Sequence, residues 1–424
     1  MYILSWRCDG LMERLNSILN GIYLSKLLNL EFKFAWPDFK EESGHNVIPG
    51  APEDLFFTDF MRAHYLKETQ LSIPNGFDIN DEMQWRSQVL GCNHSAKRYR
   101  NLSERGFDFF FAPLQRPDSV IQEKLFAESV SIFKNAMFTG FVQKSLDIAC
   151  NLEIEPGISA IHFRCGDVIF GKARCRGRFA RSKSLSLPVA RHLLDHIDPD
   201  SGKILFGASK KDLNLLRGDD GKHVLAGEKL AGIPDGSAGL LAEVMLMSRC
   251  SRLFCSGRSG VTKLAKAIGN VDVLDVRTLL TIEEECRVIC DFLGDNGCED
   301  LHRAFSAFNA FILSWESGRK ENLDNYLEIA GRCDCDNPLY PALRLLVAMV
   351  EENPSAFFSA RLRLERLWSR QLCHNGFAAI YLCFIKHKKK IGTPVVSELI
   401  TGIRSQYPEG AGLKRALCLW LERV

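Results

Sequence analysis

The sequence predicts an α/β fold of two parallel-sheet domains followed by an all-helical region. Near the start, a short strand (Tyr2–Ser5), a helix with regularly spaced apolar residues (Leu11–Leu28) and a second strand (Phe32–Ala35) follow one another. Between about residues 158 and 274, strands and helices alternate at the pitch of a parallel sheet with right-handed crossovers. Both parts are therefore expected to be Rossmann-like. After Leu301 strand signals disappear and helical ones repeat.

These changes of pattern predict domains at 1–152, 153–296 and 297–424. The last has seven predicted helices, at 301–316, 323–330, 339–351, 356–369, 376–386, 395–404 and 413–423. Antiparallel helix pairs, as in an α-solenoid, fit this pattern, although no repeat consensus is visible. Such a domain usually mediates contacts, so a protein partner is expected here.

Composition excludes several classes of protein. The 424 residues are 46% hydrophobic and 25% charged with a net charge of +2, which gives no general attraction for nucleic acid. The sequence shows neither a signal peptide nor an apolar run long enough for a membrane span. Fifteen scattered cysteines suit a reducing compartment, which predicts a cytoplasmic protein. The basic tract Lys386–Lys390 is expected to be a solvated helix end, or else a peripheral membrane contact.

Two segments of the first domain are less clear. Residues 40–120 are rich in aromatic side chains, which either shape a binding face or cover the sheet. Asp118–Leu152 reads as one or two helices, with Asp118 as a helix N-cap.

The segment Ile158–Val168 carries the first candidate site. Its apolar start predicts a strand, and alternation puts His162 and Arg164 on one side of its carboxyl end, where α/β sheets bind ligands. A turn containing Asp167 follows. Next comes a cationic loop suited to an anion such as a diphosphate; its charges are Lys172, Arg174, Arg176, Arg178, Arg181 and Lys183. The alternative is a core histidine beside a solvated basic loop.

Two further turns lead from a predicted strand into a predicted helix. Leu253–Gly260 contains Ser256, Arg258, Ser259 and Gly260, whose hydroxyl, guanidinium and backbone donors suit a phosphate at a helix N-terminus. Cys8–Gly10 precedes the first long helix in the same way, although an ordinary βα turn is the commoner explanation. Glu243, on the helix before Leu253, is either a ligand for a hydroxyl group or a surface residue.

Other chemistries have little support. The sequence contains no G-x-G-x-x-G after a strand, no P-loop and no G-x-S-x-G elbow. The cysteines lack paired C-x-x-C spacing and no His/carboxylate cluster is visible, so no metal site and no cofactor are predicted.

The motif His162–Asp167 resembles the H-x-R-x-G-D motif of the α1,2-/α1,6-/protein O-fucosyltransferase superfamily. The segment Glu243–Ala265 is similar to the later motif of that superfamily, and Cys8–Asn16 to its first loop. The three matches occur in the right order. The resemblance implies a GT-B fold and a GDP-fucose donor. Two departures put the donor in doubt: Cys165 stands where arginine is frequent, and Arg258 interrupts the usual serine pair.

The resemblance also implies roles for individual residues. Arg164 would bind the β-phosphate, His162 would seat the nucleotide sugar and Asp167 would orient Arg164 or its loop. Ser256, Arg258, Ser259 and Gly260 would receive the diphosphate, and Glu243 the guanosine. The donor would be faced from the opposite lobe by three residues, Gly10, Leu11 and Arg14.

The expected function is thus that of an inverting, metal-independent glycosyltransferase (EC 2.4.1) acting in polysaccharide biosynthesis on a glycan or glycolipid acceptor. Fixed arginines and helix N-termini would stabilise the departing diphosphate. Asp9, Glu13 and Asp38 are candidates for the general base. The alternatives are a GT-B transferase with another nucleotide sugar, and a non-catalytic scaffold that acts through its helices.

Overall fold

The computed structural model describes most of the chain up to residue 367. The described residues are 2–7, 10–37, 50–67, 109–111, 123–171, 174–175, 177–197, 202–217, 222–256, 259–269, 271–293, 298–319, 321–351 and 353–367. They form two compact units. The first is drawn from Met1–His162, Gly202–Phe206 and Val224–Leu274, and the second from Phe163–Ser201, Gly207–His223 and the described part of Asp275–Val424. The domain boundaries at 152/153 and 296/297 stay predictions.

The elements are labelled in chain order. The strands are β1 (Tyr2–Trp6), β2 (Glu31–Ala35), β3 (Phe109–Phe111), β4 (Ser159–Phe163), β5 (Lys203–Gly207), β6 (Val224–Leu225), β7 (Arg252–Cys255) and β8 (Asp272–Asp275). The helices of the first unit are α1 (Leu11–Leu28), α2 (Pro52–Leu55), α3 (Thr58–His64), α4 (Glu123–Asn135), α5 (Gly140–Asn151), α9 (Ala226–Lys229), α10 (Ser237–Met247) and α11 (Gly260–Ile268). Those of the second unit are α6 (Arg178–Lys183), α7 (Leu187–His196), α8 (Lys210–Arg217), α12 (Ile282–Leu293), α13 (Asp300–Glu316), α14 (Leu323–Cys333), α15 (Leu339–Val350) and α16 (Pro354–Leu367).

In the described residues, the first sheet has the order β2-β1-β3. The central strand β1 runs parallel to both neighbours, with Ile3 paired to Phe32 on one side and to Phe110 on the other. Ile3 and Leu4 are fully buried on opposite faces of β1, as expected for a parallel strand covered on both sides. Strand β3 was not predicted, because its three phenylalanines lie in the aromatic-rich segment that showed no clear period.

Helix α1 lies deep in the first unit. Nearly every residue from Leu11 to Ser25 is buried, including polar ones, and Ser5 Oγ donates a 2.9 Å hydrogen bond to Ser17 Oγ. The helix ends at Asn29, which adopts the left-handed conformation, and Leu30 N–H then closes the last turn on the carbonyl of Ser25. The predicted boundaries of α1 are confirmed.

The second sheet has the order β6-β5-β4-β7-β8 in the described residues. Strand β4 is parallel to β7, with Ile161 opposite Phe254, and β5 is parallel to β6. Residues from both sheets join one hydrophobic core of the first unit, among them Ile3, Phe32, Ala160 and Ile204. The predicted α/β class with parallel sheets is confirmed.

Residues 50–67 cover the first sheet. Phe34 of β2 meets Phe56 with ring centres 5.0 Å apart, and Phe60 at 5.7 Å. Both of these phenylalanines are buried. For this part of the aromatic-rich segment, the structure favours covering of the sheet over the binding face.

The described part of the second unit is built around helices, and from α12 onward each helix packs on the next in the chain. Helix α12 was missed in the sequence, although Cys286, Ile289 and Leu293 give it a buried face once the thiol is counted as apolar. All ten cysteines in the described part of the chain are free. None of the helices in the described part of the chain has the length and apolar character that crossing a membrane requires. The cap predicted at Asp118 and the tract Lys386–Lys390 lie outside the described residues.

Candidate functional site

Two helix starts meet in the first unit. The side chain of Asn16, on the second turn of α1, donates a 2.9 Å hydrogen bond to the carbonyl of Gly260, the first residue of α11. The same amide donates to Met12 O at 2.7 Å, which fixes its orientation. We call the residues around this contact the helix-start cluster: Gly10, Glu13, Asn16, Ser256, Ser259 and Gly260. Two turns that are about 250 residues apart in sequence, and that were expected to face one donor from opposite lobes, are thus brought together in the first unit.

Ser259 is the N-cap of α11. Its extended backbone and its hydroxyl, which accepts from Val261 N–H at 3.3 Å, begin the helix in the usual way for serine. Ser259 and Ser256 are both buried, at 0% and 3% exposure. The first turn of any helix leaves N–H groups without intrahelical partners, and the helix dipole makes that end favourable for an anion.

Gly260 is needed for the contact with α1. A Cβ at this position would lie 2.8 Å from Glu13 Cδ and 2.9 Å from Glu13 Oε1, which is closer than van der Waals contact allows. The carboxylate of Glu13 therefore lies directly against the start of α11. Its Oε2 is buried without a hydrogen-bond partner in the described residues, so one carboxylate acceptor of this cluster is unused.

The other predicted residues of the first loop are placed close by, but Arg14 is tied to the fold. Gly10 is the N-cap of α1 and has extended backbone geometry, and Leu11 is buried. Arg14 is 2% exposed, donates from Nη1 to Pro37 O at 2.7 Å and stacks its guanidinium 4.7 Å from the ring centre of Trp36. The cation of Arg14 is thus held between a carbonyl and an indole.

His162 occupies the carboxyl end of β4. Because Ile161 is opposite Phe254 in the parallel pair β4–β7, His162 and Cys255 are the next residues of their strands. The strands therefore leave the sheet at the same edge, and β7 continues there through Ser256 to α11. His162 is 8% exposed, so the predicted end-of-strand position is also a largely buried one.

Glu243 lies on α10, which packs against α11 in the first unit. Burial raises the pKa of Glu243 to about 7, and the carboxylate of Asp235 adds to the shift. A carboxylate whose pKa is raised this far by burial is a candidate functional group.

The remaining motif residues belong to the second unit. Arg164 is partly exposed, and its carbonyl accepts a hydrogen bond from Ser184 Oγ. Asp167 lies in a short π-type turn, Gly166–Phe170, where a simple turn was predicted. Arg258, Asp9 and Asp38 lie outside the described residues.

The described part of the basic segment differs from the free cationic loop that the sequence predicted. Part of it is helix α6, and two of its arginines are already paired with carboxylates from distant sequence. Arg174 binds Asp334 at 3.0 Å, and Arg181 lies 3.4 Å from Glu285 and 3.7 Å from Glu316. The prediction of a loop free to grip an anion is therefore wrong for Arg174 and Arg181, because their acidic partners lie more than 100 residues further along the chain.

A third group of polar side chains was missed in the sequence. Cys165, Asp212 and His302 of the second unit come together with no exposure at all; we call them the buried cluster. Burial and the Asp212 carboxylate raise the pKa of the Cys165 thiol to about 12. Burial works to raise the pKa of Asp212 as well, but the interactions with His302, Ser209 and Cys165 together lower it. The statement that the chain has no His/carboxylate cluster was wrong, because spacings of 47 and 90 residues form no motif.

The chemistry available at the helix-start cluster follows from these parts. The start of α11 with Ser256 and Ser259 offers donors and a favourable dipole for an anion, His162 lies at the neighbouring strand end, and Glu13 offers an acceptor. A ligand with both a phosphate group and an N–H or O–H donor suits this arrangement.

Comparison with known proteins gives structural neighbours only. No family model matches the chain, and no curated protein does. POFUT1 in complex with GDP-fucose is 11% identical over 65% of this chain and 98% of its own, with a TM-score of 0.35. The fucosyltransferase NodZ from Bradyrhizobium is 15% identical over 65% and 95%, with a TM-score of 0.36. NodZ α-1,6-fucosyltransferase co-crystallised with GDP is 15% identical over 63% and 92%, with a TM-score of 0.35.

Proposed function

We propose that this protein is a glycosyltransferase that transfers fucose from GDP-fucose to a glycan or glycolipid acceptor, with inversion and without a catalytic metal ion. One observation carries the proposal. Three segments that are far apart in sequence converge in the first unit: the start of α1, the start of α11 and, through the pairing of β4 with β7, the strand end with His162. These are the segments in which the three motifs lie.

In this proposal the donor is bound through its diphosphate. Ser256, Ser259 and the first N–H groups of α11 receive the phosphate oxygens, together with Arg258. Arg164 binds the β-phosphate with two parallel hydrogen bonds, and Asp167 orients it. Glu243 accepts hydrogen bonds from the guanine N–H groups, and its carboxylate must be ionised for this. The first loop, with Gly10, Leu11 and Arg14, faces the donor from its other side.

The reaction requires a leaving group that can carry charge. The bond between C1 of fucose and the β-phosphate oxygen breaks with its electron pair on that oxygen. The acceptor oxygen then bonds to C1 from the opposite face, and its proton passes to a carboxylate. Arg164 and the α11 N-terminus stabilise the charge that grows on the diphosphate. Among the three carboxylates considered as base, Glu13 is the described one, and its Oε2 is unused.

Donor binding tests the proposal before any acceptor is known. The purified protein is heated with GDP, UDP, CMP and their sugars, and the shift of its melting temperature is measured. Stabilisation by GDP and GDP-fucose alone supports the proposed donor. Mass spectrometry of a panel of fucose-free glycans incubated with GDP-fucose then identifies the acceptor.

A second candidate is transfer of another sugar from another nucleotide. It is favoured by Cys165, which replaces a frequent arginine and whose side chain is fully buried with Asp212 and His302 instead of serving a ligand. Stabilisation by UDP or CMP sugars would select this candidate, and stabilisation by no nucleotide would point to a non-catalytic scaffold. From the fifteen cysteines we also propose a cytoplasmic setting, with polysaccharide biosynthesis as the process.

A further inference from the structure

The buried cluster joins three elements of the second unit. Cys165 follows β4, Asp212 lies in the first turn of α8, and His302 lies in the first turn of α13. Each of the three residues has 0% exposure. Since no solvent reaches any of them, the cluster cannot work on a substrate as a nucleophile and base would. Its role must therefore be a structural one.

The polar atoms of this cluster lie close enough to interact, but without well-directed hydrogen bonds between Asp212 and His302. His302 Nε2 lies 2.8 Å from Asp212 Oδ2, which is close enough for attraction but does not meet the geometry of a hydrogen bond. Both carboxylate oxygens of Asp212 and both ring nitrogens of His302 are buried without a properly directed partner in the described residues. Such atoms cost free energy unless another partner is supplied.

The cluster has the composition and spacing of a metal site. One sulfur, one carboxylate oxygen and one ring nitrogen all lie within 4.8 Å of one another. Zinc takes such mixed ligands at about 2.0 to 2.3 Å, which puts neighbouring N and O ligands about 3.3 Å apart in a tetrahedron. The N–O separation of 2.8 Å therefore needs to open by about half an ångström, which is within the reach of small side-chain rotations.

The surroundings hold the ligands in position. The ring of His302 stacks on Phe163 with centres 5.6 Å apart and receives the edge of Phe170 at 5.3 Å. Ser209 begins α8, and its hydroxyl accepts from the N–H of Asp212 at 3.2 Å. A thiolate, a carboxylate and a neutral imidazole would also balance the charge of a divalent ion.

We propose that Cys165, Asp212 and His302 bind one zinc ion as a structural site of the second unit. The ion would tie the segment after β4 to α8 and α13, and would satisfy the polar atoms that these residues bury. The site is independent of the proposed transferase reaction, which uses no metal.

The test uses the full chain, produced with zinc in the growth medium and dialysed against metal-free buffer. Metal analysis is expected to find about one zinc per chain. Cys165→Ser and His302→Gln are expected to lose it. The matched control is Cys250→Ser, another buried thiol, which belongs to no such group; it is expected to retain zinc. Replacement by cobalt should give thiolate-to-cobalt absorption in the wild type and in Cys250→Ser.

Two results would overturn the site: a wild type that holds neither zinc nor cobalt in stoichiometric amount, or a Cys165→Ser protein that holds as much as the wild type. Circular dichroism of each variant shows whether it is folded. If Cys165→Ser does not fold, the cobalt spectra of the wild type and of Cys250→Ser decide the question alone, because a missing thiolate band in both contradicts the proposal.

Discussion

The helix-start cluster and the buried cluster are both groups of polar residues from distant segments, but they differ in the kind of polar atom that they offer to a ligand. The first combines two helix N-termini, where backbone donors and the helix dipole favour an anion, with the Glu13 Oε2 acceptor, which has no hydrogen-bond partner in the described residues. The second has no exposed atom and leaves side-chain oxygens and nitrogens without directed partners. Backbone donors at helix starts suit a bound anion, whereas buried side-chain acceptors suit a cation. Four predictions break or sharpen this contrast.

The largest effect is expected at Arg164. If Arg164 stabilises the leaving diphosphate, Arg164→Ala should lower kcat/KM by about a hundredfold or more, because one lost donor to a developing charge typically costs that much. Steady-state kinetics with GDP-fucose and an identified acceptor measure it. Arg62→Ala is the matched control, since Arg62 is an exposed arginine that forms an ion pair with Asp59, three residues earlier in the chain. Equal activity of the Arg164 and Arg62 variants would remove Arg164 from the mechanism.

The next effect concerns the pH dependence of Glu243. The pKa of Glu243 in the folded protein is raised to about 7, so the folded state holds a proton that the unfolded state has already lost. The contribution of Glu243 to the free energy of unfolding is therefore complete below the pKa of the unfolded state. It decreases by about 2 to 3 kcal/mol as the pH rises toward and through 7.

Glu243→Gln should remove that loss, so the variant should gain stability over the wild type between about pH 5 and about pH 8. Urea unfolding at several pH values measures the difference, with exposed Glu53→Gln as control. If Glu243 accepts guanine N–H groups, the KM for GDP-fucose should also rise as the pH falls through 7. Parallel curves of stability against pH for the wild type and Glu243→Gln would contradict a raised pKa at Glu243.

Gly260 offers a test of the contact between α1 and α11. Gly260→Ala should destabilise the protein by at most about 1 kcal/mol, because the new methyl group overlaps the Glu13 carboxylate, which lies at the end of a flexible side chain and can rotate away. The double variant Glu13→Ala/Gly260→Ala should regain most of that loss, and the coupling in a double-mutant cycle measures the overlap. Independent effects of the two substitutions would mean that the two helix starts do not touch.

The smallest effect separates capping from ligand binding at Ser259. Ser259→Ala should lower the free energy of unfolding by about 1 kcal/mol through loss of the N-cap. Ser259→Asp should keep the cap and most of the stability but place a negative charge where the diphosphate is proposed to bind. Its affinity for GDP, measured by calorimetry, should therefore fall while its melting temperature stays close to that of the wild type. Unchanged GDP affinity would place the phosphates elsewhere.

The parts of the fold that the sequence predicted are those with a local period. Helix α1 was placed at its observed bounds and the start of α11 at its observed turn, because apolar spacing and a preceding Gly or Ser mark them directly. Strand β3 and helix α12 were missed, since three phenylalanines show no alternation and the buried face of α12 includes a cysteine. Local patterns identify an element only when its buried face has an unambiguous apolar spacing.

The candidate site shows the same division. The turns at Gly10 and at Ser259–Gly260 were each recognisable as helix starts, but their contact through Asn16 depends on tertiary packing that no motif encodes. The arginines of the basic loop looked free because their carboxylate partners, such as Asp334, lie far along the chain. Contacts between distant segments therefore explain both the helix contact that the sequence did not predict and the free arginines that it predicted wrongly.

The path of the chain between the two units has a practical consequence for anyone who wishes to study the helices alone. The chain passes into the second unit at three separate points, after His162, Phe206 and Leu274. A gene fragment that begins at Asp275 would encode His302 but neither Cys165 nor Asp212. Such a truncated protein would contain His302 without the two residues that it lies against, in a unit that lacks two of its three chain segments. Point substitutions in the full chain are therefore the better way to study the helices.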